Sequence, residues 1–91
     1  MHIRWLPEAA QDLEDINLYL REHHPFLAHS TMNELYDGIR SLKQMPYKGR
    51  PGSVQATRDL IFTRLPYIAT YRIKEQTIEV LYIRHMSRNR S

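Results

Sequence analysis

The stretch that decides the fold is LIFTRLPYIATYRIKEQTIEVLYIRH, residues 60–85. Three runs rich in β-branched and aromatic residues, 60–63, 67–73 and 78–85, are separated by the turn-forming Leu65-Pro66 and by the polar triplet at 74–76. Runs of this kind predict strands, and connections this short join antiparallel neighbours. The last run is apolar at four successive positions, which favours a place inside the sheet.

Upstream of this stretch the pattern predicts one strand and two helices. The opening HIRWL at 2–6 alternates as a short strand does. Pro7 suits the first turn of a helix, and apolar residues then recur at helical spacing over 7–22 and again over 26–45. Only a few residues join these helices, so we expect an antiparallel helical hairpin. Gly38 inside the second helix costs about 1 kcal/mol relative to alanine.

These elements predict a single α+β domain over residues 1–91. The order is β-α-α-β-β-β, with the helical hairpin packed on one face of a small twisted antiparallel sheet. The stretch YKGRPGS at 47–53 reads as a loop by composition, and residues 85–91 form a basic C-terminal tail. The other face of the sheet is then free for function.

Composition excludes several classes of site. The chain has no cysteine, so it forms neither disulfides nor thiolate metal sites. We also find no Asp, Glu and His cluster at ligand spacing, and we expect no metal, cofactor or small-molecule ligand. No long apolar run follows Met1, which argues against a signal peptide and a membrane span. We therefore expect a cytoplasmic protein without a membrane partner.

The charge is divided unevenly along the chain. Residues 1–37 carry seven acids and two bases, whereas residues 38–91 carry eleven bases and three acids. The first part is therefore −5 and the second +8. Such asymmetry predicts a polyanion or an acidic peptide as the partner of the second part. A solvated charged surface is the alternative explanation.

The basic half contains candidate groups for chemistry on RNA. His85 ends a predicted internal strand and could transfer a proton near neutral pH. Arg84 and Arg58 could stabilise the charge of a phosphate during metal-free cleavage. The further cations predicted to bind a substrate or target are Lys48, Arg50, Arg64, Arg88 and Arg90. His85 could equally be structural, and the tail could anchor an acidic partner.

The tyrosines of the second half allow two interpretations. Tyr47, Tyr67, Tyr71 and Tyr82 could stack on nucleic-acid bases. Tyrosines in strands are more often half-buried sheet residues.

Several motifs resemble those of the RelE/ParE superfamily of bacterial toxins. WLPEAA at 5–10 resembles the opening of these toxins, and MPYKGRPG at 45–52 resembles the loop after their second helix. TRDL at 57–60, PYI at 66–68 and YRI at 71–73 resemble their middle strands, and VLYIRH at 80–85 resembles their last strand. The similarity covers nearly the whole chain in the same order.

The resemblance implies the toxin of a type II toxin–antitoxin pair, silenced by an antitoxin whose C-terminal segment wraps it. RelE-like members cleave ribosome-bound mRNA, and ParE-like members poison DNA gyrase. The nucleases carry an arginine where this chain has Tyr67, and some end in a tyrosine that is absent here. The resemblance therefore favours a ParE-like gyrase poison. The alternative is a RelE-like mRNA interferase, with Arg58, Arg84 and His85 as catalytic residues.

Overall fold

The computed structural model describes residues 1–87, which form two α-helices, a 3₁₀ helix and five strands. In chain order the elements are β1 (His2–Trp5), α1 (Pro7–His23), α2 (Pro25–Arg40), the 3₁₀ helix (Ser41–Lys43), β2 (Arg50–Pro51), β3 (Arg58–Ile61), β4 (Tyr67–Lys74) and β5 (Thr77–His85). The predicted α+β class, the order of elements and the helical hairpin are confirmed. Within residues 1–87, no helix is long and apolar enough to cross a membrane.

The sheet is mixed, with the strand order β1-β5-β4-β3-β2. Strands β2 to β5 pair in antiparallel, and β5 lies inside the sheet as predicted. β1 pairs with β5 in parallel, so the prediction of a wholly antiparallel sheet is wrong for this pair. The physical reason is that both helices separate β1 from the other strands, so no tight turn fixes its direction.

The segment predicted as a loop at 47–53 contributes a fifth strand. β2 is only two residues long and pairs with the start of β3, Arg50 opposite Asp59 and Pro51 opposite Arg58. A proline is tolerated here because the strand lies at the edge of the sheet, where the missing N–H leaves no ladder bond unmade.

The second helix ends earlier than predicted. α2 stops at Arg40, and the 3₁₀ helix takes the chain on to Lys43. The hydroxyl of Ser41 donates a hydrogen bond to the carbonyl of Gly38 at 2.6 Å. Serine side chains that bond to nearby backbone groups compete with regular helix in this way.

The core lies between the helical hairpin and one face of the sheet. Leu13, Leu35 and Ile39 of the helices pack with Tyr71 and Val80 of the strands. Gly38 faces Phe62 so closely that a Cβ atom would overlap the ring. The helix-weakening glycine is therefore explained by its contact with Phe62, the residue that follows β3.

Candidate functional site

Arg84 and His85 are neighbours in β5 and face opposite sides of the sheet. The Arg84 guanidinium reaches Thr70 and Asp59 on the face that the helices leave uncovered. The His85 ring lies edge-on to Tyr67, a core residue on the helix side, with ring centroids 5.3 Å apart. Successive side chains of a strand point to opposite faces. The two candidate catalytic groups therefore do not meet.

Arg84 is held in a buried polar network. Its Nη1 donates to Thr70 Oγ1 at 3.0 Å, and its Nη2 lies 3.5 Å from Asp59 Oδ2. Thr70 Oγ1 in turn donates to Asp59 Oδ1 at 2.7 Å. Asp59 and Thr70 are both buried. Because a buried carboxylate needs a partner for its charge, Arg84 neutralises Asp59.

His85 lies at the opposite face, beside a groove of about 450 Å³ between the end of the helical hairpin and the β3–β4 turn. Its Nδ1 accepts a hydrogen bond from the backbone N–H of Ser87 at 3.1 Å. Arg64 lines the same groove, and its Nε lies 3.7 Å from Glu34 Oε2. The side chain of Arg64 is exposed.

Arg58 sits four residues further along the sheet. It pairs with Tyr71 of β4, whereas His85 pairs with Tyr67, a separation of about 13 Å at the rise of a strand. Its guanidinium donates to the carbonyls of Gly49 and Tyr47 and lies 5.1 Å from the centroid of the Tyr47 ring. Arg58 therefore holds the loop before β2 and does not approach His85.

Tyr71 of β4 also anchors the loop before β2, through its hydroxyl group. Its side chain is fully buried, and its hydroxyl donates to the carbonyl of Pro46 at 2.7 Å and accepts from the N–H of Gly49 at 2.9 Å. Burial raises the pKa of Tyr71 above its ordinary value of 10.0, although the Gly49 bond and Arg58 act in the opposite direction. The hydroxyl stays protonated at neutral pH and can donate. Nothing in the sequence distinguishes this role from that of an ordinary sheet tyrosine.

The basic loop itself faces solvent. Lys48 and Arg50 are exposed, and Lys48 Nζ donates to Ser41 Oγ at 3.2 Å. Tyr47 is 67% exposed. These groups lie together at one edge of the sheet, away from His85 and Arg64. Arg88 and Arg90 lie outside the described residues.

A second ionic cluster was not anticipated from the sequence. The Glu79 carboxylate accepts a hydrogen bond from Arg72 Nε at 2.6 Å and lies 3.5 Å from Arg4 Nη1. The hydrogen bond from Arg72 lowers the pKa of Glu79 below its ordinary value of 4.5, against the effect of desolvation. The sequence shows Arg4, Arg72 and Glu79 as charged residues of three strands. Only the strand register, which places Arg4 and Arg72 on either side of Glu79, shows that they form one cluster.

Comparisons with known proteins agree on one family. Residues 3–90 match the family model of the ParE toxin of the type II toxin–antitoxin system parDE. A protein of Sinorhizobium fredii, "Putative toxin Y4kP", is 32% identical over 83 residues, which cover 91% of this chain and 85% of that protein. A solved structure of the chromosomal ParDE toxin–antitoxin system from P. aeruginosa superimposes with a TM-score of 0.85 at 28% identity, covering 93% of this chain and 95% of that one.

Proposed function

The chain belongs to the ParE family, the toxins of type II toxin–antitoxin systems, and we propose that it arrests bacterial growth by poisoning DNA gyrase through protein contacts. Membership of the family also implies a cognate antitoxin that neutralises the toxin. We also propose that the chain acts in the cytoplasm, where it would meet DNA gyrase and the antitoxin.

The observation that carries the proposal is the separation of the three candidate catalytic groups. Cleavage of RNA without metal needs a base, an acid and a charge-stabilising cation around one phosphate. His85 and Arg84 lie on opposite faces of the sheet, and Arg58 lies four strand positions away. This arrangement supports an inhibitor that binds its target over the alternative of a nuclease.

The ionic contacts of the two arginines support the same choice. Arg84 neutralises the buried Asp59, and Arg58 fixes the loop carbonyls of Tyr47 and Gly49. To stabilise a phosphate, either guanidinium would have to leave contacts that the fold uses. A gyrase poison needs neither group to be free.

Induction of the chain from a tight promoter tests the proposal in cells. We expect growth arrest with a DNA-damage response, because a poisoned gyrase leaves broken DNA. The His85→Ala variant should arrest growth as the wild type does, and His23→Ala at the exposed end of α1 is the matched control. Arrest of translation with cut mRNAs, abolished by His85→Ala and not by His23→Ala, would overturn the proposal.

A further inference from the structure

The segment from Arg40 to Arg58 contains five cations and no acidic residue: Arg40, Lys43, Lys48, Arg50 and Arg58. The acids that flank it are already paired. Asp37 binds Arg40 at 2.5 Å, and Asp59 is buried against Arg84. Lys48 is exposed and has no acidic residue near it in the sequence, so the loop before β2 is complementary to an anion. Arg50 faces the other side of the sheet, because it lies opposite Asp59, whereas Arg58 lies opposite Pro51.

An exposed aromatic ring lies among these cations. Tyr47 is 67% exposed, and the Arg58 guanidinium lies 5.1 Å from its centroid, within cation–π range. Beside the ring runs a groove of about 430 Å³, lined by Tyr47, Pro51, Ala56, Thr57, Arg58 and Ile73. An aromatic ring beside an arginine plane is the kind of platform on which an unpaired nucleobase stacks.

The platform is rigidly built before any partner arrives. The hydroxyl of Tyr71 fixes Pro46 and Gly49 on either side of Tyr47 and Lys48, and Arg58 fixes the carbonyls of Tyr47 and Gly49. Ala56, in the wall of the groove, has a φ of 68°, in the left-handed region that non-glycine residues rarely adopt. Groups held in place in advance lose less conformational entropy on binding, and strained backbone of this kind clusters at binding sites.

We propose that this surface, formed by Tyr47, Lys48 and Arg58, binds single-stranded DNA directly, with a base stacked on Tyr47 and an adjacent phosphate at Lys48. The choice of DNA rests on the proposed function, since gyrase acts on DNA. An acidic peptide would satisfy the cations but would make no use of the exposed ring and its arginine.

Fluorescence anisotropy of the purified chain with a labelled single-stranded DNA 12-mer tests the proposal. Tyr47→Ala should weaken binding by about tenfold or more, the effect of losing one stacked base, and Tyr47→Phe, which keeps the ring, should bind as the wild type does. Lys48→Gln should flatten the slope of log K against log salt by roughly 0.7, the contribution of the one phosphate that the variant no longer neutralises. Arg21→Gln, which removes one charge from α1, should leave affinity within about twofold of the wild type.

The outcomes separate this inference from the gyrase proposal. Absence of DNA binding at about 50 mM salt, or equal binding by Tyr47→Ala, overturns the inference even if gyrase is inhibited. Tighter binding of an RNA 12-mer of the same sequence overturns the choice of DNA, and displacement of the DNA by polyglutamate at equal charge assigns the surface to an acidic peptide instead. DNA binding by a chain that leaves gyrase unaffected supports the surface and overturns the gyrase proposal.

Discussion

Replacing Tyr71 by phenylalanine tests the anchoring of the loop before β2. The change keeps the buried ring and removes the hydroxyl, so the N–H of Gly49 loses its acceptor and the carbonyl of Pro46 loses its donor. At about 1 kcal/mol for each hydrogen bond, we expect the free energy of unfolding to fall by about 2 kcal/mol. For a domain of this size the melting temperature should fall by roughly 8–16 °C.

Denaturant unfolding measures the fall in the free energy of unfolding, and limited trypsin digestion shows whether the loop before β2 has become more accessible. Both backbone polar groups of Gly49 are hydrogen-bonded in the wild type, so cleavage between Lys48 and Gly49 should be slow there and faster in Tyr71→Phe. Tyr36→Phe removes a hydroxyl from an exposed tyrosine and should change stability by less than about 0.5 kcal/mol. If Tyr71→Phe is equally mild and the loop is cut no faster, Tyr71 does not anchor the loop.

Three further predictions concern the ionic network of the uncovered face and the antitoxin. Arg84→Met should cost about 2 kcal/mol because it leaves the buried Asp59 carboxylate with the hydrogen bond from Thr70 but without its cation, and the double variant Asp59→Asn/Arg84→Met should be more stable than the single one in urea unfolding. The depressed pKa of Glu79 stabilises the folded chain above pH 4.5, and this contribution is lost as the pH falls through the folded-state value; Glu79→Gln should therefore flatten the acid limb of a stability–pH curve, and an unchanged limb would refute the Arg72 pairing as its cause. Antitoxin association should slow as salt rises from about 50 to 500 mM and slow again in Arg50→Glu; if neither changes the on-rate, the basic half does not steer the antitoxin.

The last two strands could be predicted because their signal is local, whereas the strand predicted at 60–63 lies two residues earlier, at Arg58–Ile61. Alternation and short turns placed 67–73 and 78–85 within one residue of β4 and β5 at each boundary. β2 could not be found in this way, since two residues become a strand only by pairing with β3. The direction of β1 depends likewise on partners that lie 75 residues away, His2 opposite Thr77.

The candidate site was harder to predict because it depends on which face of the sheet each side chain occupies and on how the strands are paired. The alternation of side chains in a strand already implies that Arg84 and His85 face opposite ways, so the sequence itself argues against a shared catalytic role for these neighbours. The partner of Arg84 could not be read from the sequence, because Asp59 and Arg84 meet only across β4. Gly38 is a similar case. Helix propensity predicts that this glycine destabilises α2, but only the close contact with Phe62 explains why no larger residue stands there.

Supercoiling of relaxed plasmid by purified gyrase tests the central claim most directly, with ribosome-bound mRNA treated by the same toxin preparation. We predict that the wild-type chain and His85→Ala both block supercoiling, that the cognate antitoxin restores it, and that the mRNA stays intact. Unaffected gyrase together with cleaved mRNA, and a fall in that cleavage by about two orders of magnitude in His85→Ala, would contradict the claim.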